Sequence, residues 1–248
     1  MPTDFYADDL AYVHHTGFAD LARGAAPEIA SLLTRRGHAG GHVVDLGCGS
    51  GLLVRALHDR GFATTGVDLS PAMIALARRE SPRTTFVTGS LYDARLPRAH
   101  AVLAVGEPLN YAEPKSSGRL RAPPLAPFFR KIARALPPRG LFVFDVIVDG
   151  PGPTLTRSGH RSGPRFTVCV TTTEDRARTR LTREIVSFVA EKDDGPYRRT
   201  HEVHHVRVLR TKELARALDD AGFDVVVKKR YGAHPLAVRR RAFVCTKR

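Results

Sequence analysis

Short, unbroken apolar runs alternate along the first 150 residues with stretches whose apolar residues recur every three or four positions. Val43, Val44 and Leu46 make the first run, and Leu52, Leu53, Ala56 and Leu57 the first helical repeat. Unbroken runs suit strands buried on both faces, and helical repeats suit helices lying on such a sheet. The pattern predicts a strand over 43–46, a helix over 51–60 ended by Gly61, and a strand over 64–68. A helix follows, with Ser70 as N-cap, Pro71 in its first turn and Ser81-Pro82 at its end. Strands over 85–87 and 101–105, a helix over about 125–136 stopped by Pro137-Pro138, and a strand over 141–147 complete the series. Such alternation implies a parallel, doubly wound α/β sheet.

Both flanks depart from this rhythm. Residues 1–38 read as two helical segments, a first after Asp8-Asp9 and a second opened by Pro27-Glu28, faced by Ile29, Leu32 and Leu33 and ended by Gly37. The Pro/Ser/Arg-rich stretch 112–124 is expected to be a mobile loop on the ligand side of the sheet. Beyond Val148, 149–153 reads as a linker, and 165–173, 178–190 and 197–209 alternate Thr, Val, Phe and Ile with polar residues. They predict a three-stranded antiparallel insertion with a turn at 193–196. Thr211 is expected to cap a helix ending at Gly222, followed by strands over 223–229 and 242–246. The expected organisation is a helical lid (1–38), a ligand-binding core (39–150), an antiparallel β cap (151–210) and the end of the core (211–248).

Composition narrows the function. A chain of 248 residues suits one α/β core with an embellishment. With no apolar run near 20 residues and no charged-then-apolar start, the expectation is a soluble, cytoplasmic protein. Cys48, Cys169 and Cys245 are widely spaced, which yields neither a disulfide framework nor a metal site. The net charge of +14 and pI near 10.4 raise a nucleic-acid reading. The excess is mostly scattered Arg, with short clusters at Lys228-Lys229-Arg230 and Arg239-Arg240-Arg241 but no interleaved stacking aromatics, and Trp is absent. A solvated basic surface fits that distribution better.

The run Val43-Val44-Asp45-Leu46-Gly47-Cys48-Gly49-Ser50-Gly51 joins a buried strand to a glycine-dense turn and a helix. Such a turn lets a ligand approach the main chain at a helix N-terminus. A dinucleotide fingerprint needs a third glycine where Leu52 stands, so nicotinamide and flavin are disfavoured; a chance glycine-rich turn is the plain alternative. In this type of sheet, a carboxylate ending the next strand accepts from ribose hydroxyls, and Asp68 occupies that place. The ends of the first and fourth strands flank the ligand crevice, which makes Gly106, Glu107, Asn110 and Tyr111 candidates to meet cofactor or substrate.

Taken together, Asp45 to Gly51, Val67-Asp68-Leu69-Ser70-Pro71, Gly89-Ser90-Leu91-Tyr92-Asp93 and Gly106-Glu107-Pro108-Leu109-Asn110-Tyr111 resemble the bacterial class I S-adenosylmethionine (SAM) methyltransferases that act on small molecules. The resemblance spans roughly 5–148 and 211–247. It implies a seven-stranded, mostly parallel sheet with the last strand antiparallel, and SAM as cofactor with S-adenosylhomocysteine as product. It also implies cofactor contacts from Asp45, Gly47, Cys48, Gly49, Gly51, Asp68 and Leu69, and adenine contacts from Ser90 and the Leu91 backbone, Ser90 standing where the family often has an acid. Tyr12 and Arg23 stand near positions that in relatives close over the methionine carboxylate. Ala99-His100-Ala101 departs from the family, which usually has Asp there. If the acceptor needs a base, His14 and His15 are the candidates, with His201, His204 and His205 as a second group; His204 is also a candidate substrate contact. No Asp/Asn-Pro-Pro-Tyr string follows the fourth strand, and no cysteine stands where a pyrimidine C5 enzyme needs one. The expected activity is methylation of a small molecule at O, N or C by a monomer or homodimer. An RNA-modifying enzyme and a non-methylating SAM-binding cyclase or regulator are the alternatives.

Overall fold

The computed structural model describes residues 5–114, 120–150, 154–193 and 195–248. The centre of the expected 112–124 loop, the end of the 149–153 linker and Asp194 of the expected turn lie outside them. Two helices come first, α1 (Asp8–Gly17) and α2 (Asp20–Arg35). Then follow β1 (His42–Leu46), α3 (Leu52–His58), β2 (Ala63–Asp68), α4 (Pro71–Glu80), β3 (Thr85–Thr88), β4 (Ala101–Ala104), α5 (Leu125–Ala135) and β5 (Leu141–Ile147). Four strands form the insertion: β6 (Thr156–Gly163), β7 (Phe166–Glu174), β8 (Arg180–Ala190) and β9 (Tyr197–Arg207). The chain closes with α6 (Thr211–Asp220), β10 (Phe223–Lys228) and β11 (Arg240–Lys247).

The main sheet has the order β10-β11-β5-β4-β1-β2-β3. Its first five strands in the chain are parallel, and β11 runs antiparallel to both neighbours. β1 pairs β2 on one side and β4 on the other, so the chain reverses direction across the sheet there and opens a crevice at the strands' carboxyl ends. Alternate residues divide the core. Val44, Val102, Phe142 and Phe144 pack with Phe129 and Ile132 of α5 and Leu214 and Leu218 of α6. Val43, Leu103, Val143 and Val244 pack with Ile29 and Leu33 of α2 and Leu53 and Leu57 of α3. Every residue of β5 is buried, as a strand covered on both faces requires. Among the described residues, no helix is long and apolar enough to cross a membrane.

Three local expectations are corrected. Pro27 lies inside α2 rather than opening it; burial of Ala25, Ala26, Ile29, Leu32 and Leu33 outweighs the one hydrogen bond that proline removes. Thr211 is the first helical residue of α6, and its N–H is met by Asp149 Oδ1 at 3.4 Å instead of by its own cap. The insertion has four strands rather than three. The extra one, β6, reads Thr-Arg-Ser-Gly-His-Arg-Ser-Gly and is exposed along nearly its whole length. An edge strand needs only backbone pairing on one side, so no apolar alternation marks it.

Asn110 fastens the insertion to the core. Its amide nitrogen donates to Ile147 O (2.9 Å) and Arg207 O (2.8 Å), and its oxygen accepts from Ile147 N (3.0 Å). One face of the insertion covers α1, where Leu10 and Val13 pack on Phe166, Val168, Ile185 and Val189. The N-terminal segment, which lines the crevice through Phe5, Tyr6 and His14, thus packs on the inserted sheet, of whose described residues none lines the crevice itself.

Candidate active site

The crevice is a cleft of about 1050 Å³, counting space open to solvent. Its floor is the turn after β1. Gly47, Gly49 and Gly51 all adopt left-handed backbone, with φ of 75°, 53° and 78°. A Cβ on Gly47 would stand 2.5 Å from Pro108 Cβ, so the turn after β4 presses directly on this loop. At Gly51 the missing side chain instead lets α3 approach Ala77 of α4. Gly49 N–H donates to Asp68 Oδ2 (2.8 Å) and Ser70 N–H to Asp68 Oδ1 (2.9 Å), which fixes the Asp68 carboxylate beside the loop with a lone pair on each oxygen to spare.

Asp45, one residue before the end of β1, lies on the same floor. It is 3% exposed and its Oδ1 has no partner. Burial, and then the neighbouring Asp68, push its carboxyl up to about 7. Burial also raises Asp68, opposed by the N–H groups of Ser70, Gly49 and Leu69. The Cys48 thiol lies beside them and is held protonated, chiefly by burial.

Leu69, Met73 and Leu91 form an apolar side of the cleft. At its edge Ser90 Oγ donates to both oxygens of Glu113 (2.7 and 2.9 Å) and accepts from Tyr92 N (3.1 Å). Ser90 itself does not line the cleft, but Glu113 does, and burial raises the Glu113 carboxyl. The acid absent at position 90 is therefore present in space at position 113.

The opposite wall is aromatic: Phe5, Tyr6, His14, Phe18 and Tyr111 line it. Burial holds His14 at about 4, with smaller contributions from His15 and Arg240, so its imidazole is neutral at physiological pH. Its Nδ1 has no partner. Tyr111 OH accepts from Arg183 Nη1 (2.8 Å) and stands 3.4 Å from Tyr6 OH. Burial raises the Tyr6 phenol well above its ordinary value.

Of the residues expected at the site, the structure brings Asp45, Gly47, Cys48, Gly49, Asp68, Leu69, Leu91, Gly106, Tyr111 and His14 into the cleft wall. Others go elsewhere. Tyr12 faces away, edge-on to Phe166 and beneath Arg165, because it sits two residues from His14 and so on the opposite face of α1. Arg23 is exposed on the outer side of α2, whose Leu21 and Ala22 face the cleft. His15 ties α1 to the glycine loop through Ser50 Oγ (3.0 Å). Glu107 turns from the cleft to pair with Arg183 (2.9 Å) and Arg240 (3.4 Å). Asn110 is fully buried on backbone partners, and His204 is 2% exposed behind Phe5 and Tyr6. Sequence reasoning missed Tyr6 and Glu113: neither belongs to a strand-end motif, and only folding of the segments around 5 and 113 puts them on the wall.

A charge contrast distinguishes the site. In a chain of net charge +14, the described residues lining the cleft include Asp45, Asp68 and Glu113 and no Lys or Arg. Arg183 and Arg240, just behind the wall, are paired with Glu107 and Asp145. Among the described residues, no cluster of His, Cys, Asp or Glu suited to a metal occurs. The arrangement suits a ligand with vicinal hydroxyls, a flat ring and positive charge.

Residues 43–140 match the family model of a methyltransferase domain. A putative methyltransferase of Geobacillus sp. (strain WCH70) is 26% identical over 201 residues, 74% of each chain. A dTDP-3-amino-3,6-dideoxy-alpha-D-glucopyranose N,N-dimethyltransferase of Streptomyces fradiae is 25% identical over 250 residues, 90% of this chain and 87% of that protein. The solved structure of the sugar N-methyltransferase KedS8 from Streptoalloteichus sp. shares the fold, with a TM-score of 0.73, 22% identity and coverage of 98% and 94% of the two chains.

Proposed function

We propose that this chain, a class I SAM-dependent methyltransferase, methylates the amino nitrogen of a small molecule. The acid-lined, cation-free cleft with an aromatic wall is the observation that carries this reading. Both the sulfonium of SAM and an amine acceptor suit it, whereas a phosphodiester would meet Asp45, Asp68 and Glu113; that argues against an RNA acceptor. The amino-sugar substrate named for the Streptomyces fradiae relative points the same way.

The residues present fit the cofactor. The glycine loop offers bare main chain, and Asp68 has spare lone pairs for two ribose hydroxyls. Leu69, Met73 and Leu91 suit the faces of a purine, and Glu113 is an acceptor for an exocyclic amine. Asp45, with an unpartnered oxygen, favours a cation nearby. When bound, SAM supplies an electrophilic methyl on a sulfonium whose sulfur leaves as a neutral thioether.

What the chain itself contributes is positioning and exclusion of water. An ammonium must lose its proton before its nitrogen lone pair can attack. Passing that proton from a group of pKa ~10 to an imidazole at about 4 is uphill by about 8 kcal/mol. His14 is thus not the base; its neutral imidazole helps to orient the acceptor, and the proton goes to solvent. A hydroxyl acceptor would need a stronger base at this wall. Asp45, which titrates near neutral pH, lies across the cleft beside Asp68 on the cofactor's floor.

Calorimetric titration with SAM and S-adenosylhomocysteine tests the cofactor site. Wild-type protein is expected to bind both, and Asp68→Ala at least tenfold more weakly; equal affinity in the variant rejects the assignment. Binding of SAM with no product from any acceptor would favour the non-methylating alternative.

A further inference from the structure

The aromatic wall begins with a short strap, residues 5–7, clasped from two sides. From the inserted sheet, the Glu202 carboxylate accepts from Tyr6 N (2.8 Å) through Oε2 and from Ala7 N (3.0 Å) through Oε1. The same Oε2 lies 2.8 Å from His204 Nε2. From the core, Ser70 Oγ donates to Tyr6 O (2.7 Å) and accepts from Met73 N (3.1 Å) at the head of α4. Asp68 accepts from Ser70 N–H, so the second clasp is one residue pair from the proposed ribose contact. Held between them, Tyr6 has φ of 51°, a left-handed conformation that a bulky residue keeps only when its surroundings impose it.

The Glu202 side chain is 11% exposed, and its bonds to the strap are charge-assisted. No other side chain of the inserted sheet bonds the strap's backbone among the described residues. Phe5 and Tyr6 stand on the cleft wall that this backbone carries. If Glu202 let go, the strap backbone would keep the Ser70 clasp alone, and the Tyr6 ring its contacts with His14, Tyr111 and His204, so the left-handed conformation and the wall it carries would be held less firmly.

We propose that Glu202 is a positioning residue that holds the strap closed across the cleft, and that release of its two strap N–H groups is the event that lets S-adenosylhomocysteine leave. The inference rests on the reading of the cleft as the SAM site. It concerns how long the product stays and assigns Glu202 no contact with the reacting atoms.

The test compares the 248-residue wild type, Glu202→Ala and Glu202→Gln by dissociation rate of S-adenosylhomocysteine, with circular dichroism to establish that each is folded. Dissociation is expected to be about tenfold faster in the Ala variant and intermediate in Gln, which keeps an acceptor oxygen. KM for SAM should rise while kcat holds or increases, a split that mere loss of stability would not produce. Hydrogen exchange should show the Tyr6 and Ala7 amides protected by S-adenosylhomocysteine in wild type and not in Glu202→Ala. If Glu202→Ala does not fold, the Gln variant carries the same comparison. Wild-type dissociation rates in folded variants overturn the inference alone. Failure of wild type to bind S-adenosylhomocysteine overturns the cofactor reading and this inference with it.

Discussion

Replacing Asp45 by Asn tests the electrostatics of the cleft floor. In the folded protein its carboxyl is raised from 3.8 to about 7, mainly by burial and then by Asp68. The folded state therefore binds this proton more tightly than the unfolded chain does. The stability Asp45 contributes is fully present below pH 3.8 and is lost as pH rises towards 7, where the curve flattens. The carboxyl's rise is worth about 4 kcal/mol, of which about 2.5 kcal/mol is lost between pH 5 and 8. Asn has a similar shape and does not ionise. Urea unfolding from pH 5 to 8 should show wild type losing about 2.5 kcal/mol relative to Asp45→Asn. Parallel pH profiles of the two proteins would refute the reasoning. A cation bound in the cleft favours ionised Asp45, so wild-type affinity for SAM should increase as pH rises through 7 and that of Asp45→Asn should not.

Asn110→Ala removes three hydrogen bonds, to Ile147 N–H, Ile147 C=O and Arg207 C=O, of which Ile147 C=O keeps Leu209 N–H at 3.1 Å, and should cost about 3 kcal/mol at roughly 1 kcal/mol each, read from urea midpoints. Because Asn110 does not line the cleft, SAM affinity of the folded variant should stay within about twofold of wild type. Gly47→Ala places a Cβ 2.5 Å from Pro108 Cβ at a φ of 75°, so calorimetry should show SAM affinity falling at least tenfold. His14→Phe keeps an aromatic wall but removes the free Nδ1, and should raise KM for the amine more than it weakens SAM binding; equal effects would contradict its role as acceptor contact.

How far the chain could be read without its structure follows from where each signal resides. Ser70 as N-cap and the apolar runs of β1, β4 and β5 are local, and the main sheet follows them. The glycine loop and Asp68 were legible because a strand, its turn and the next strand end lie within 26 residues of one another. The aromatic wall was not, because its groups come from distant parts of the chain. Tyr6 and Tyr12 differ in sequence only by position, and helical phase turns Tyr12 outward while the clasps turn Tyr6 in. Glu107 and Asn110, placed correctly at a strand end, are claimed by Arg183 and by backbone groups of β5 and β9. Glu113 restores an acid beside Ser90 from 23 residues away, a compensation visible only in space.

The proposed reaction transfers a methyl group from SAM to an amine in this cleft. Its most direct test incubates the protein with SAM and matched pairs of small acceptors, each an amino sugar derivative and its hydroxyl counterpart, and follows S-adenosylhomocysteine release and product mass. Turnover is expected on the amine, with the new methyl on nitrogen, and little on the hydroxyl partner. Turnover on the hydroxyl compounds with none on the amines would contradict it.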